Sequence, residues 1–347
     1  PISGYYRCGD GRYVQLHANF PHHHDGLIEL LGCGPARADV KAALGDWQGE
    51  AFETAAAEAG LCVGLLRSRD EWMTHPQYAA VRSLPLLSIE RIGEGPPEPL
   101  RASERPLRDV RVLDLTRVIA GPVCGRTLAA HGADVLRIGG PHLPFLANVW
   151  LDLARGKRSA HLDLRERSGR DKLAALTRGS DVFLQAYRPG ALDKLGFGVD
   201  AIASLRPGIV YVALCAYGHV GPWADKRGFD SLVQTVSGIA DAGAQAAGTR
   251  GAYPLPCQAL DHATGYLAAF GTMVALQRRA VEGGSYRVRV SLVQTAEWLW
   301  SLGTQDAMDH PDQEFDDAAA FLEMRQTPEG KITAIRPAEL LDRTPAR

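Results

Sequence analysis

Between residues 110 and 138 the chain alternates strand, helix and strand, and no other stretch constrains the fold as strongly. Val110-Arg111-Val112-Leu113-Asp114-Leu115 is an apolar strand candidate. Gly121-Pro122 opens a helix to about Ala130, with proline at an early helical position where its missing N–H costs nothing. His131-Gly132 ends that helix, and Ala133-Asp134-Val135-Leu136-Arg137-Ile138 is the next strand. Such a βαβ unit, roughly 30 residues long, joins two parallel strands through a crossover helix. Further strands are expected at Val182-Phe183-Leu184 and Ile209-Val210-Tyr211-Val212-Ala213-Leu214. Helices are expected at about 169–178, 199–205, 229–240 and 262–280, then a strand at Tyr286-Arg287-Val288-Arg289-Val290 and a helix from Ser291. The alternation predicts an α/β fold, a Rossmann-like doubly wound, mostly parallel sheet covered by helices.

A boundary precedes this region. Ile92-Gly93-Glu94-Gly95-Pro96-Pro97-Glu98-Pro99 has no periodicity, and the same character continues to Pro106. The expected organisation is a small α+β domain over 1–92, a linker over 93–108, the large α/β domain over 109–303 and a tail or strap over 304–347. In the small domain Tyr13-Val14-Gln15-Leu16-His17 reads as a strand after the Asp10-Gly11 turn. Gly26 to Leu31 and Trp47 to Ala59 read as helices. The tail is polar and acidic, with Asp306, Asp309, Asp312, Glu314, Asp316 and Asp317.

Composition narrows the function classes. A chain of 347 residues has ample length for a sizeable core and suggests two domains. A net charge of −2 supplies no overall field for nucleic acid or an anionic membrane. No run approaches the roughly 18 apolar residues of a membrane-spanning helix. Pro1 to Tyr5 lack the regions of a signal peptide, and the missing initiator Met leaves an earlier start open. Cys8, Cys33, Cys62, Cys124, Cys215 and Cys257 are scattered without C-x-x-C pairing, so buried thiols and a cytoplasmic location are expected. His22-His23-His24 has no acidic or cysteine partner at ligand spacing, and no metal is expected there.

The first βα turn reads Thr116-Arg117-Val118-Ile119-Ala120-Gly121-Pro122, without G-x-G-x-x-G, and no P-loop occurs anywhere. A nicotinamide dehydrogenase or P-loop enzyme is therefore not expected. Arg117 still lies at the carboxyl end of a strand, where sheets of this class place ligands. Arg155-Gly156-Lys157-Arg158-Ser159 is either a phosphate grip or a solvated basic turn. Tyr187-Arg188-Pro189-Gly190-Ala191-Leu192-Asp193-Lys194 suits an adenine nucleotide or a plain loop-to-helix connection. Asp261 begins a long apolar helix carrying Tyr266, Leu267, Phe270, Val274 and Leu276. A carboxylate there is an N-cap or a nucleophile, and the helix dipole is expected to keep it ionised.

In order along the chain, LDLTRVIAGP at 113–122, HGADVLRI at 131–138, RGKRSAHLDLR at 155–165 and YRPGALDKLGFG at 187–198 form one series. It continues with AYGHVGPWADKRGFDSLVQTVSG at 216–238, ALDHATGYLAAFG at 259–271 and GGSYRVRVSL at 283–292. Together these motifs resemble the class III coenzyme A-transferase family, which includes formyl-CoA and crotonobetainyl/carnitine CoA-transferases. YYRCGDGRYV and GLLRSRDEWMTHPQ resemble that family's small domain, here placed before the large one rather than after it. A rearranged chain, or the tail of an upstream copy, would account for that order.

The resemblance implies transfer of CoA from an acyl-CoA to a carboxylic acid through an aspartyl-CoA thioester, with Asp261 as the nucleophile. It implies CoA-binding roles for Arg117, Ala120, Lys157, Arg158, Tyr187, Lys194 and Arg227. CoA and acyl-CoA would be substrates, with no permanently bound cofactor, and the assembly an interlocked homodimer. Gly265 and Gly271 would let a ligand or helix approach closely, and Trp150, Trp223 and Trp298 would line an acceptor pocket. The family's racemase branch needs a proton carrier in the Gly-x-Asp motif, which reads Gly228-Phe229-Asp230 here. A phenyl ring moves no proton, and His262 is expected to be a satisfied helix histidine. Gly139 replaces an acidic residue of the family, Gln185-Ala186 lacks its asparagine, and Ile119 stands where some members are polar. The alternatives are accordingly a racemase-like isomerase and a non-catalytic CoA-binding subunit.

Overall fold

The strand candidates are near-continuous apolar runs because their sheet is covered on both faces. A computed structural model describes residues 2–101, 103–305, 314–327, 330–339, 341–342 and 344. The chain opens with β1 (Gly4–Arg7), β2 (Tyr13–Leu16), α1 (Pro21–Leu31), α2 (Arg37–Leu44), α3 (Gly49–Glu58) and β3 (Val63–Leu65). Next come α4 (Arg69–Thr74), α5 (Pro76–Val81) and β4 (Leu87–Gly93). The alternating part runs β5 (Arg111–Asp114), α6 (Ala120–Ala130), β6 (Asp134–Gly139), α7 (Ala147–Leu153), β7 (Lys157–His161) and α8 (Arg167–Arg178). It continues with β8 (Val182–Gln185), α9 (Val199–Leu205), β9 (Val210–Cys215), α10 (Asp230–Val236), α11 (Ile239–Ala246) and α12 (Ala259–Glu282). β10 (Ser285–Ser291), α13 (Leu292–Ser301) and the hairpin of β11 (Leu322–Thr327) and β12 (Gly330–Ile335) complete it.

Among the described residues β4-β10-β9-β8-β5-β6-β7 form one seven-stranded sheet, parallel except for the antiparallel edge strand β4. Successive side chains point to opposite faces. Val112, Val182, Val210 and Val288 pack with Leu128 of α6 and Ala268 and Leu276 of α12. Leu113, Phe183 and Tyr211 pack with Leu173 of α8 and Ile202 of α9 on the other face. After β5 the chain lays β6 and β7 to one side, then returns to lay β8, β9 and β10 to the other. The carboxyl ends of β5 and β8 therefore flank a topological switch point, where doubly wound sheets bind ligands.

The amino-terminal unit is an antiparallel sheet, β1-β2-β3, packed with α1, α2 and α3 around Leu16, Leu27, Phe52 and Val63. The expected boundary at 92/93 is corrected, since β4 crosses it and pairs with β10, Ile89 opposite Val288. Its Glu90 and Arg91 hid the strand in the sequence; charges of this kind are what an edge strand carries. The expected helix over 229–240 is divided, because Gly238 has φ 90 between α10 and α11. The helix expected from Gly26 starts at Pro21, which occupies its first turn. It therefore takes in His22, His23 and His24. In the tail, Asp306, Asp309 and Asp312 lie outside the described residues, and β11 and β12 have no counterpart among the strands expected from sequence.

Candidate active site

Three segments converge on the switch point. The turn after β5 is fixed from beneath by Asp114, which accepts from Thr116 N–H at 2.9 Å and from Lys157 Nζ at 2.8 Å. Lys157 Nζ also donates to the Pro122 carbonyl at 2.8 Å, joining β5, β7 and α6. The turn carries backbone strain, since Val118 has φ 71, which is rare for a β-branched residue. It delivers the Ala120 N–H, at the first residue of α6, to the Asp261 carboxyl group. Gly265 makes the approach of α12 to α6 possible, because a Cβ there would lie 2.5 Å from the Ala120 oxygen and 2.6 Å from Val123 Cβ.

Asp261 does not cap α12. Gln258 holds the N-cap position and Asp261 lies three residues into the helix. The residue is 7% exposed. Its backbone N–H donates to Asp230 Oδ2 at 2.9 Å, and Asp230, the first residue of α10, is itself buried. Asp230 also accepts from Leu260 N–H and from Gln234 Nε2, while Gln234 Oε1 accepts from Leu255 N–H at 2.8 Å. The expectation that the helix dipole keeps Asp261 ionised is corrected. Burial first, and then the Asp230 carboxylate, push the Asp261 pKa well above the usual range, and the Ala120 N–H offsets only part of this. Asp230 is raised by burial too, although its three donors favour its charged form.

Asp261 opens on a cleft of about 630 Å³, within the roughly 300–1,000 Å³ typical of small-molecule sites. Arg117, Ala120, Tyr187 and Arg227 line the same cleft, so five of the eight residues expected at the site come together there. Arg117, Arg188 and Arg227 face it without a carboxylate partner among the described residues. The Arg227 pKa is depressed by burial and then by Arg188 and Arg117, as expected of cations gathered without a counter-charge. Unpaired guanidiniums in one cleft are suited to phosphate.

Three expected residues lie elsewhere. Lys157 is held by Asp114, with its side chain 2% exposed, and borders a side cavity of about 40 Å³. Arg158 is the next residue of β7 and points outward to Asp134. Lys194 is exposed on the short helical turn Asp193–Leu195 and lines neither cavity. The tryptophans also stay out of the main cleft. Trp150 meets Arg137 beside the side cavity, Trp223 lies under Lys226, and Trp298 is on α13.

The amino-terminal unit supplies what the sequence reading missed. Phe20, His22, His23 and Cys62 line the cleft, and the Phe229 ring stacks on His17 at 3.7 Å between centroids. Burial lowers the pKa of both His17 and His23 to about 4, so both are neutral at ordinary pH. The two units are joined by buried Glu53 on α3, which accepts from Arg67 at 2.6 Å and from Lys226 at 2.9 Å. Lys226 precedes Arg227, so this ion cluster anchors the loop that presents Arg227 and Phe229. In the sequence, His22 and His23 raise only the question of metal ligation, and nothing local places them against Phe229.

A family model described as CoA-transferase family III matches residues 107–334. Acetyl-coenzyme A transferase nodX of Hypoxylon pulicicidum is 37% identical over 208 residues, covering 58% of this chain and 35% of that protein. The succinyl-CoA–L-malate CoA-transferase beta subunit of Chloroflexus aurantiacus is 32% identical over 202 residues, covering 55% of this chain and 50% of its own length. The crystal structure of Rv3272 from M. tuberculosis superposes with a TM-score of 0.50 at 32% identity, covering 57% of this chain and 58% of that one. The chain thus spans about a third to a half of the curated relatives it matches.

Proposed function

The chain belongs to CoA-transferase family III, and from that premise we propose that it transfers coenzyme A between carboxylic acids with Asp261 as the nucleophile. The observation that carries the reading is the Asp261 carboxyl group opening on one cleft with three unpaired guanidiniums, Arg117, Arg188 and Arg227. These cations, with Tyr187, would hold the CoA nucleotide and its phosphates. Lys157, Arg158 and Lys194 are left out of that set, since Asp114 and Asp134 engage the first two and the third lies off the cleft.

Once ionised, an Asp261 oxygen attacks the thioester carbonyl carbon, the C–S bond breaks, and CoA leaves as thiolate with the bonding pair. The product is a mixed anhydride. The thiolate attacks its aspartyl carbonyl carbon, expelling the donor acid as carboxylate and leaving an aspartyl-CoA thioester. The acceptor carboxylate then attacks that aspartyl carbon and again expels thiolate. Attack of the thiolate on the acceptor acyl carbon forms the new acyl-CoA and restores Asp261. The two attacks on the aspartyl carbonyl carbon place negative charge on an oxygen of Asp261, to which the Ala120 N–H would donate. The interlocked homodimer belongs to this reading on the strength of the family resemblance, and the cytoplasmic location on that of the scattered cysteines. Among the described residues no helix is long and apolar enough to cross a membrane.

The racemase alternative lacks support at Phe229, whose ring is stacked on a neutral His17. Hydroxylamine added during turnover with an acyl-CoA is expected to leave a hydroxamate at Asp261, read by peptide mass spectrometry, and Asp261→Asn is expected to abolish transfer. Full turnover by Asp261→Asn would overturn the reading. So would solvent deuterium uptake at the acyl α-carbon with no adduct at Asp261.

A further inference from the structure

Arg137, near the carboxyl end of β6, is half-buried and has no counter-charge of its own. In the β5–β6 register it stands opposite Asp114, so both side chains lie on one face of the sheet. That carboxylate is already taken, accepting from Lys157 Nζ at 2.8 Å and from Thr116 N–H at 2.9 Å. On the β7 side the register partners are Ser159, opposite Arg137, and His161, opposite Gly139. The same-face neighbours along β6 are Val135 and Gly139. Among the described residues Arg137 forms no ion pair, and its guanidinium lies over the Trp150 ring at 4.6 Å from the centroid.

Gly139 makes room for this arrangement. A Cβ there would lie 3.0 Å from Arg137 Nη1, 3.3 Å from its Cζ and 3.1 Å from His161 Cδ2. The guanidinium therefore fills the space that a side chain at 139 would enter. Arg137 lines the side cavity together with Arg117. That cavity shares Phe20, Thr116, Arg117, Val118 and Pro144 with the main cleft, so the two meet along these residues. Burial lowers the Arg137 pKa, with Asp114 opposing and Arg117 adding to the effect.

We infer that Arg137 is a phosphate-binding residue of the CoA site, and that glycine at 139 leaves it free for that ligand. The inference rests on the CoA-transferase reading. A guanidinium stacked on an aromatic face keeps its edge N–H donors available, in a planar fork that matches two phosphate oxygens. A carboxylate at 139 would start from a Cβ already touching that fork and would occupy it instead. The phosphate is either the 3′-phosphate of CoA or its diphosphate.

The test measures Kd for CoA and for 3′-dephospho-CoA by titration calorimetry on the full chain. Arg137→Gln and Gly139→Glu are each expected to weaken CoA binding at least about tenfold, the scale of one charge-assisted contact. Gly139→Gln adds the same bulk without the charge and should cost at most about threefold. A loss that disappears with 3′-dephospho-CoA assigns the contact to the 3′-phosphate, and an equal loss with both ligands assigns it to the diphosphate. Unchanged CoA affinity in Arg137→Gln overturns the inference, as do equal losses in Gly139→Glu and Gly139→Gln. Hydroxamate at Asp261 of the wild type, scored in parallel, keeps the CoA-transferase reading standing in either case. A wild type that binds no CoA removes both.

Discussion

Replacing Asp230 with asparagine should move the pH dependence of CoA transfer toward acid. Asp230 Oδ2 accepts from the Asp261 N–H at 2.9 Å, which puts its charge one residue's reach from the Asp261 carboxyl group. For carboxylates roughly 6 Å apart at an effective dielectric constant of about 20, the repulsion is about 2.8 kcal/mol, or about two pH units. Burial, the larger cause of the raised Asp261 pKa, remains in the variant, so the pKa should fall without returning to the ordinary range. The asparagine amide of Asp230→Asn would keep an oxygen for the Asp261 N–H and lose the bond from Gln234 Nε2, a loss that costs stability but does not by itself move the acid limb. Neither of the other titratable neighbours of Asp230 confuses the reading. Tyr5 is pushed up to about 12 and Cys257 is raised as well, both chiefly by burial. The assay is kcat/KM for CoA transfer from about pH 4 to 9, whose acid limb reports the free enzyme's nucleophile. A limb that stays in place while the plateau falls would refute the electrostatic role and leave Asp230 a purely structural acceptor.

Two further substitutions probe how the site is held. Gly265→Ala places a methyl group 2.5 Å from the Ala120 oxygen, so α6 must retreat; about 1–3 kcal/mol of stability should be lost in urea unfolding. At least a tenfold drop in kcat with little change in KM should accompany it, because the Ala120 amide is withdrawn from Asp261. Glu53→Ala strands buried Arg67 and Lys226 and should cost about 3–5 kcal/mol at pH 7. The folded-state pKa of Glu53 is depressed from 4.5 to about 2 by Lys226 and Arg67, against the opposing pull of burial. The stability it contributes is therefore complete above pH 4.5 and lost as pH falls toward 2. Acid unfolding curves of the wild type and Glu53→Ala should accordingly converge across that interval.

The large sheet was legible because each parallel strand had to be apolar on both faces, and crossover helices leave a period that local reading detects. β5, β6, β8, β9 and β10 all fall within a residue or two of expectation. What escaped were elements whose partners are remote. β4 is recognisable only once β10 lies beside it, and α7 is a short helix between a loop and β7. The basic run at 155–158 looked like a grip for phosphate because three cations are adjacent in sequence. In the strand, alternation sends Lys157 inward to Asp114 and Arg158 outward to Asp134. Adjacency in sequence became separation in space, whereas Arg117, Arg188 and Arg227, far apart in sequence, face one cleft.

The charge state of Asp261 shows why local rules were insufficient at the site itself. A carboxylate in the first turn of a helix is favoured by the dipole by about 0.3–1 kcal/mol when exposed, and that much can be read from the sequence. Against it stand burial of the whole side chain and the proximity of Asp230, which comes from another helix and lies 31 positions away in the chain. Each pK unit those tertiary effects add is worth about 1.4 kcal/mol, so a shift of even one unit outweighs the dipole. The consequence bears on chemistry. A carboxyl group whose proton is held more tightly is the more basic nucleophile once ionised. The arrangement that overrode the local expectation, two buried carboxyl groups without an ion pair among the described residues, is therefore the one that would suit Asp261 to attack a thioester.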